Sequence, residues 1–192
     1  MITIAFLLFV AGGVSAQRCN QPLYSVPDFN VANYIDGWYE IGTSRAVYGS
    51  FERTCVCVKA NYTLVENEFV PYVTVNNQCR RRSVTAPIEV IEGQATQENP
   101  RAPGELTVSF GPTPPSGPNY FVMEVGPRDN YGPSNPNAYA LIGEPCRRAL
   151  WILSRNPYID DQLYNSLLAI AVSYGFNPEE IGFRKTLQDL CW

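Results

Sequence analysis

The sequence predicts an all-β fold: an eight-stranded, up-and-down antiparallel barrel with one C-terminal α-helix packed outside it. Three observations carry that prediction. Eight short segments rich in β-branched and aromatic residues recur at near-regular spacing, the strand count of a small closed barrel. The chain spends 14 glycines and 16 prolines over 192 residues, which suits many turns rather than long helices. A single amphipathic helical pattern stands near the C-terminus. The length suits one well-buried domain, expected over residues 17–192.

The first strand, 38–43, follows the turn pair Asp36-Gly37 and opens on Trp38-Tyr39, an aromatic anchor for the core. Residues 19–33 before it are polar and proline-punctuated, an arm rather than an element. Residues 44–53 form a loop. The second strand, 54–65, and the third, 68–78, read as a hairpin about Glu66-Asn67, a two-residue turn that sets Cys55 opposite Gln78. A single bulge then brings Cys55 to Cys79, so that disulfide is geometrically cheap. The remaining strands are expected at 88–97, 106–110, 120–125, 138–143 and 149–155, parted by loops rich in Pro, Gly and Asn. The helix is capped by Asp160 or Asp161, carries Leu163, Leu167, Ile170, Ala171 and Tyr174 as one apolar stripe, and ends at Gly175. A one-sided stripe needs an apolar surface to lie on, here the barrel wall. Residues 181–187 read as an extended segment beside the barrel.

Residues 2–10 are an apolar run, followed by the small-x-small ending Val14-Ser15-Ala16. Residues 1–16 therefore read as a secretion signal, with the mature chain starting at Gln17 and the protein outside the cell. A retained N-terminal anchor is the competing reading. No later stretch is apolar enough for stable membrane insertion. All six cysteines lie in the mature part, and an even count in a secreted chain argues for disulfides. A metal cluster is the rival reading, with Cys55-x-Cys57 as its one tight pair.

Net charge is only −4, so a nucleic-acid partner has no electrostatic footprint. The chain has no histidine, which removes Ser-His-Asp and Cys-His nucleophiles and imidazole metal ligands. No carboxylate pair stands out by spacing. These points favour a protein that is not an enzyme and holds no metal or resident cofactor, beyond a bound lipid or chromophore.

Side-chain parity gives candidate positions. Asn61-Tyr62-Thr63 is a glycosylation sequon, and a sugar on Asn61 must sit outside. Tyr62, Ala60 and Val58 then point in, while Cys55 and Cys57 point out. Arg155 ends the eighth strand, where its guanidinium can stack on Trp38 and seal one end of the barrel. By parity with Arg155, Trp151 and Leu153 point inward. Tyr139 and Phe121 are further cavity candidates. Plain core packing is the competing reading for each of these residues. Arg80, Arg81 and Arg82 follow the third strand as either a cationic rim for an anionic guest or a solvated charge run.

Asn33-Tyr34-Ile35-Asp36-Gly37-Trp38-Tyr39-Glu40-Ile41 resembles the first signature of the lipocalins. Ala60-Asn61-Tyr62-Thr63-Leu64 and Ile91-Glu92-Gly93-Gln94-Ala95-Thr96 are similar to apolipoprotein D-like members. Tyr139-Ala140-Leu141-Ile142-Gly143-Glu144-Pro145, with residues 150–157, is similar to the bacterial and plant temperature-induced members. Two departures stand out. Asp36 occupies the place of the family's usual glycine, and the second signature is stretched into 126–137, with Asp129 and Tyr131 as its remnants. The resemblance implies the pairings Cys19–Cys146 and Cys57–Cys191, leaving Cys55 for Cys79. It also implies a secreted carrier that holds a small hydrophobic ligand, such as a fatty acid, steroid, retinoid, carotenoid or bilin. Its partners would be that ligand and at most a weak homo-oligomer. The alternatives are an enzyme on the same barrel, and an extracellular interaction or matrix protein with a filled barrel.

Overall fold

A computed structural model of the chain describes residue 19, residues 21–66 and residues 71–192. The secretion signal expected over 1–16 and Asn67 of the expected hairpin turn lie outside the described residues.

Eight antiparallel strands close a barrel. They are β1 (Asp36–Thr43), β2 (Cys55–Val65), β3 (Tyr72–Arg81), β4 (Ile88–Thr96), β5 (Glu105–Ser109), β6 (Tyr120–Gly126), β7 (Tyr139–Gly143) and β8 (Leu150–Ser154). Each pairs with the next, and β1 pairs with both β2 and β8, so the wall is continuous. A short β9 (Arg184–Lys185) adds to β1. Two single turns of helix, α1 (Val31–Tyr34) and α2 (Arg45–Tyr48), flank β1. The helix α3 (Asp161–Ser173) lies on the outer wall. Asp160 caps it by accepting from the Leu163 amide at 2.7 Å, and Gly175, at φ +85°, takes the left-handed turn that ends it.

The β2–β3 register differs from the expected one. Val65 faces Tyr72 and Cys55 faces Arg81, so the pairing is offset from the expected one by four residues at Val65 and by three at Cys55. Pro71 is the physical reason: it has no N–H to give a ladder, so the third strand starts after it. A register shift between Val56 and Lys59, with Cys57 at φ +55°, is the bulge that brings Cys55 to Cys79. The structure also joins Cys19 to Cys146 and Cys57 to Cys191.

Two cores result. One fills the closed end of the barrel around Trp38, Tyr34, Val122, Val125 and Ile142. The other lies between the outer faces of β6–β8 and α3, around Met123, Leu141, Ile152, Leu167 and Phe176. The strands β6–β8 are thus buried on both faces, whereas β2–β4 carry Thr74, Asn76, Gln78 and Glu92 and have no helix behind them.

The wall between β1 and β2 is completed by the C-terminal segment. β1 pairs with β2 only over Asp36–Tyr39. Beyond that the bulged β2 diverges, and residues 184–188 bridge the gap. Gly42 and Thr43 pair with Lys185 and Arg184, and the Thr186 amide donates to the Ile41 carbonyl at 3.0 Å. The Cys57 amide donates to the Leu187 carbonyl at 2.8 Å. Gln188 Nε2 donates to the carbonyls of Glu40 at 2.8 Å and Val58 at 2.7 Å. The segment expected beside the barrel is therefore part of its wall.

Candidate functional site

The barrel encloses a cavity of about 220 Å³. Its floor is built from the chain entering β1. Asn30 starts α1 by accepting from the Ala32 amide, and α1 delivers Tyr34 beneath the barrel. Trp38, fully buried, donates its indole N–H to the Tyr34 carbonyl at 2.8 Å. The Arg155 guanidinium lies 3.8 Å from the Trp38 ring centre and donates to the carbonyls of Gly37 and Asn33 at 3.0 Å and Tyr131 at 3.4 Å. Burial lowers its pKa to about 10, so it stays charged at neutral pH. The expected stack of Arg155 on Trp38 stands at this end. The remnant Tyr131 belongs to it too: its hydroxyl accepts from the Asn30 amide at 2.6 Å.

Asp36 adopts φ +68°, the left-handed conformation that favours glycine. Asp tolerates this region better than most side chains do.

Above Trp38, the hydroxyls of Tyr34 and Tyr120 lie 2.8 Å apart, and those of Tyr62 and Tyr120 3.3 Å apart. Burial raises all three phenols, Tyr62 to about 12, so each keeps its proton. Three protons meet two O···O contacts, which leaves one donor for whatever the cavity holds. The walls are apolar, from Val58, Ala60, Val73, Val75, Ala95, Leu106, Val108 and Leu153. At the mouth Phe51, from the β1–β2 loop, and Phe110, from the β5–β6 loop, bring their rings to 6.5 Å.

Two carboxyls also line this cavity, Glu40 at 3% exposed and Glu52 at 9%. They are hydrogen-bonded to each other. Burial raises both, and the neighbouring Glu40 carboxyl raises Glu52 further. The Thr186 hydroxyl also donates to Glu40. Sequence reading overlooked this pair, although a signal existed: Glu40 shares strand parity with Trp38. Glu52 lies in a loop, where no periodicity marks direction.

Of the expected cavity residues, Tyr62, Trp151 and Leu153 line the hollow. Phe121 and Tyr139 do not; they pack on the outer side of the wall, in the core shared with α3. On β6 it is Tyr120 that faces in. Arg80 and Arg81 lie on β3 itself, at the mouth end, and are engaged there. Arg80 donates to the Ala86 carbonyl, and Arg81 pairs with Glu89 at 2.7 Å. Arg82 starts the following loop and is exposed. None of the three lines the cavity. Asn61 is half-buried in mid-wall, paired with Gly37 and Asn76.

The lipocalin-like domain family model matches residues 29–186. This chain belongs to the lipocalin family. The lipocalin is 28% identical to apolipoprotein D of Mus musculus over 191 residues, covering 94% of this chain and 90% of that protein. It is 28% identical to temperature-induced lipocalin-1 of Arabidopsis thaliana over 162 residues, covering 81% and 78%. Its fold matches the solved structure of insecticyanin from the tobacco hornworm Manduca sexta with a TM-score of 0.58, at 16% identity and 86% and 84% coverage.

Proposed function

We propose that this lipocalin is a secreted carrier of one small hydrophobic molecule, held in the barrel. The observation that carries the reading is the cavity: apolar walls over a hydroxyl-bearing floor, roofed by two aromatic rings that are themselves half exposed. An apolar guest gains about 25 cal/mol for each Å² of apolar surface it hides. Three disulfides support an oxidising, extracellular setting. They also engage all six cysteines, which removes the free thiol that a thiol-based enzyme on this barrel needs. A glycan on Asn61 belongs to the same reading, since Asn61 lies at the opposite strand parity to Tyr62.

Titration with the neutral fluorophore N-phenyl-1-naphthylamine tests the proposal. One site per chain is expected, with quenching of Trp151 and loss of binding in Ala95→Phe, which fills the hollow. Failure of the wild type to bind the probe, together with no stoichiometric small molecule in solvent extracts of natively secreted protein, overturns it.

A further inference from the structure

We infer that the cavity selects its guest by head group: it takes an apolar molecule bearing an amine and turns away a carboxylate of the same length. The inference rests on the carrier reading and names the ligand class for that same cavity.

Among the described residues, no lysine or arginine lines the hollow. The nearby cations are committed elsewhere. Arg155 lies behind the Trp38 ring and gives its Nη donors to three backbone carbonyls. At the mouth Arg81 is paired with Glu89, and Arg80, which is not on the cavity lining, donates through Nη1 to the Ala86 carbonyl while its Nε has no partner. Arg184, which attracts Glu40, is exposed and stacks on Tyr48 at 3.6 Å. Lys185 is paired with Asp161 at 2.6 Å. A guest carboxylate would enter with no counter-ion on the lining and meet two carboxyls there.

The acceptors, by contrast, are in surplus. Glu40 and Glu52 place two buried carboxyls side by side on the cavity lining. Asn77 provides an independent observation. It lines the same cavity, and its Oδ1, closed to solvent, has no hydrogen-bond donor. A buried acceptor without a donor is costly, and a buried charge more so. A guest ammonium brings three donors and a positive charge in one group, which suits a lining rich in acceptors. The other amide on the lining, Asn119, is already satisfied by the Val108 backbone at 2.8 and 3.0 Å and does not compete.

The competing pole is the floor, where the spare tyrosine hydroxyl can donate to any guest oxygen. The two poles are told apart with decylamine, 1-decanol and decanoate, each displacing N-phenyl-1-naphthylamine at pH 7. Decylamine is expected to bind at least tenfold more tightly than decanoate, with decanol between them. The variant Glu40→Gln/Glu52→Gln should lose the preference. The wild-type ratio needs no variant, so the test stands even if that protein folds poorly. Decanoate binding as tightly as decylamine, and weakened by Tyr120→Phe, places the head on the floor and overturns the inference while leaving the carrier reading intact. Displacement by none of the three, with no probe binding, overturns both.

Discussion

Two charged groups are buried at different levels of one cavity, and the protein treats them in opposite ways. At the floor, Arg155 keeps its charge because three fixed carbonyls and an indole face receive it. At the β1–β2 gap, burial and the neighbouring Glu40 carboxyl push the Glu52 carboxyl well above its ordinary value and so oppose its ionisation. The first arrangement holds its charge on backbone carbonyls and an indole face, with only the Arg155 Nε left without a partner, so it is architecture. The second leaves acceptors facing the hollow, so a guest can improve it. Burial alone does not identify a functional charge; whether the surrounding backbone has already answered it does.

Breaking the floor gives the largest effect. Trp38→Ala should cost about 3–5 kcal/mol, through a cavity under Arg155 and loss of its cation–π partner, read as a drop in urea midpoint. Breaking the gap comes next. Cys57→Ser/Cys191→Ser frees the C-terminal segment and should cost about 2–4 kcal/mol. Amide exchange should then accelerate at residues 40–43 while Trp38 stays protected, which separates the two regions directly.

Acidity sharpens the contrast. Glu40 and Glu52 bind their protons more tightly folded than unfolded, so above the ordinary carboxyl value of 4.5 the native state carries extra protons. Stability from this pair is therefore present at low pH and falls as pH rises through the raised native values, by about 1.4 kcal/mol per pH unit at most for one proton. Glu52→Gln should flatten that slope in pH-dependent urea unfolding. Arg155 contributes no slope there, because it titrates near 10. The smallest effect is expected at Asp36→Gly. Relief of the left-handed strain and the added freedom of the unfolded chain offset each other to within about 0.5 kcal/mol.

The barrel, its helix and its floor were readable from the sequence, because strand spacing, the α3 stripe and Trp38 each impose a periodicity or an anchor. Tyr62, Trp151 and Leu153 were placed on the cavity side because Asn61 and Arg155 set the parity of their strands. β6 and β7 carry no such marker, and β6 shifts register between Val122 and Glu124, which hid the exchange of Phe121 for Tyr120. The hairpin register failed where a proline sat inside a pattern otherwise fit for a strand. Glu52 had no local signal, since its burial depends on a loop folding back over the mouth.

The stitching of the wall by residues 184–188 has a consequence for biogenesis. Gly42, translated early, finds its neighbour Lys185 only after every strand of the barrel has been made. Until residues 184–188 exist, the edge of β1 at Gly42 and Thr43 has no strand to pair with on that side, so closure of the wall waits for the end of the chain.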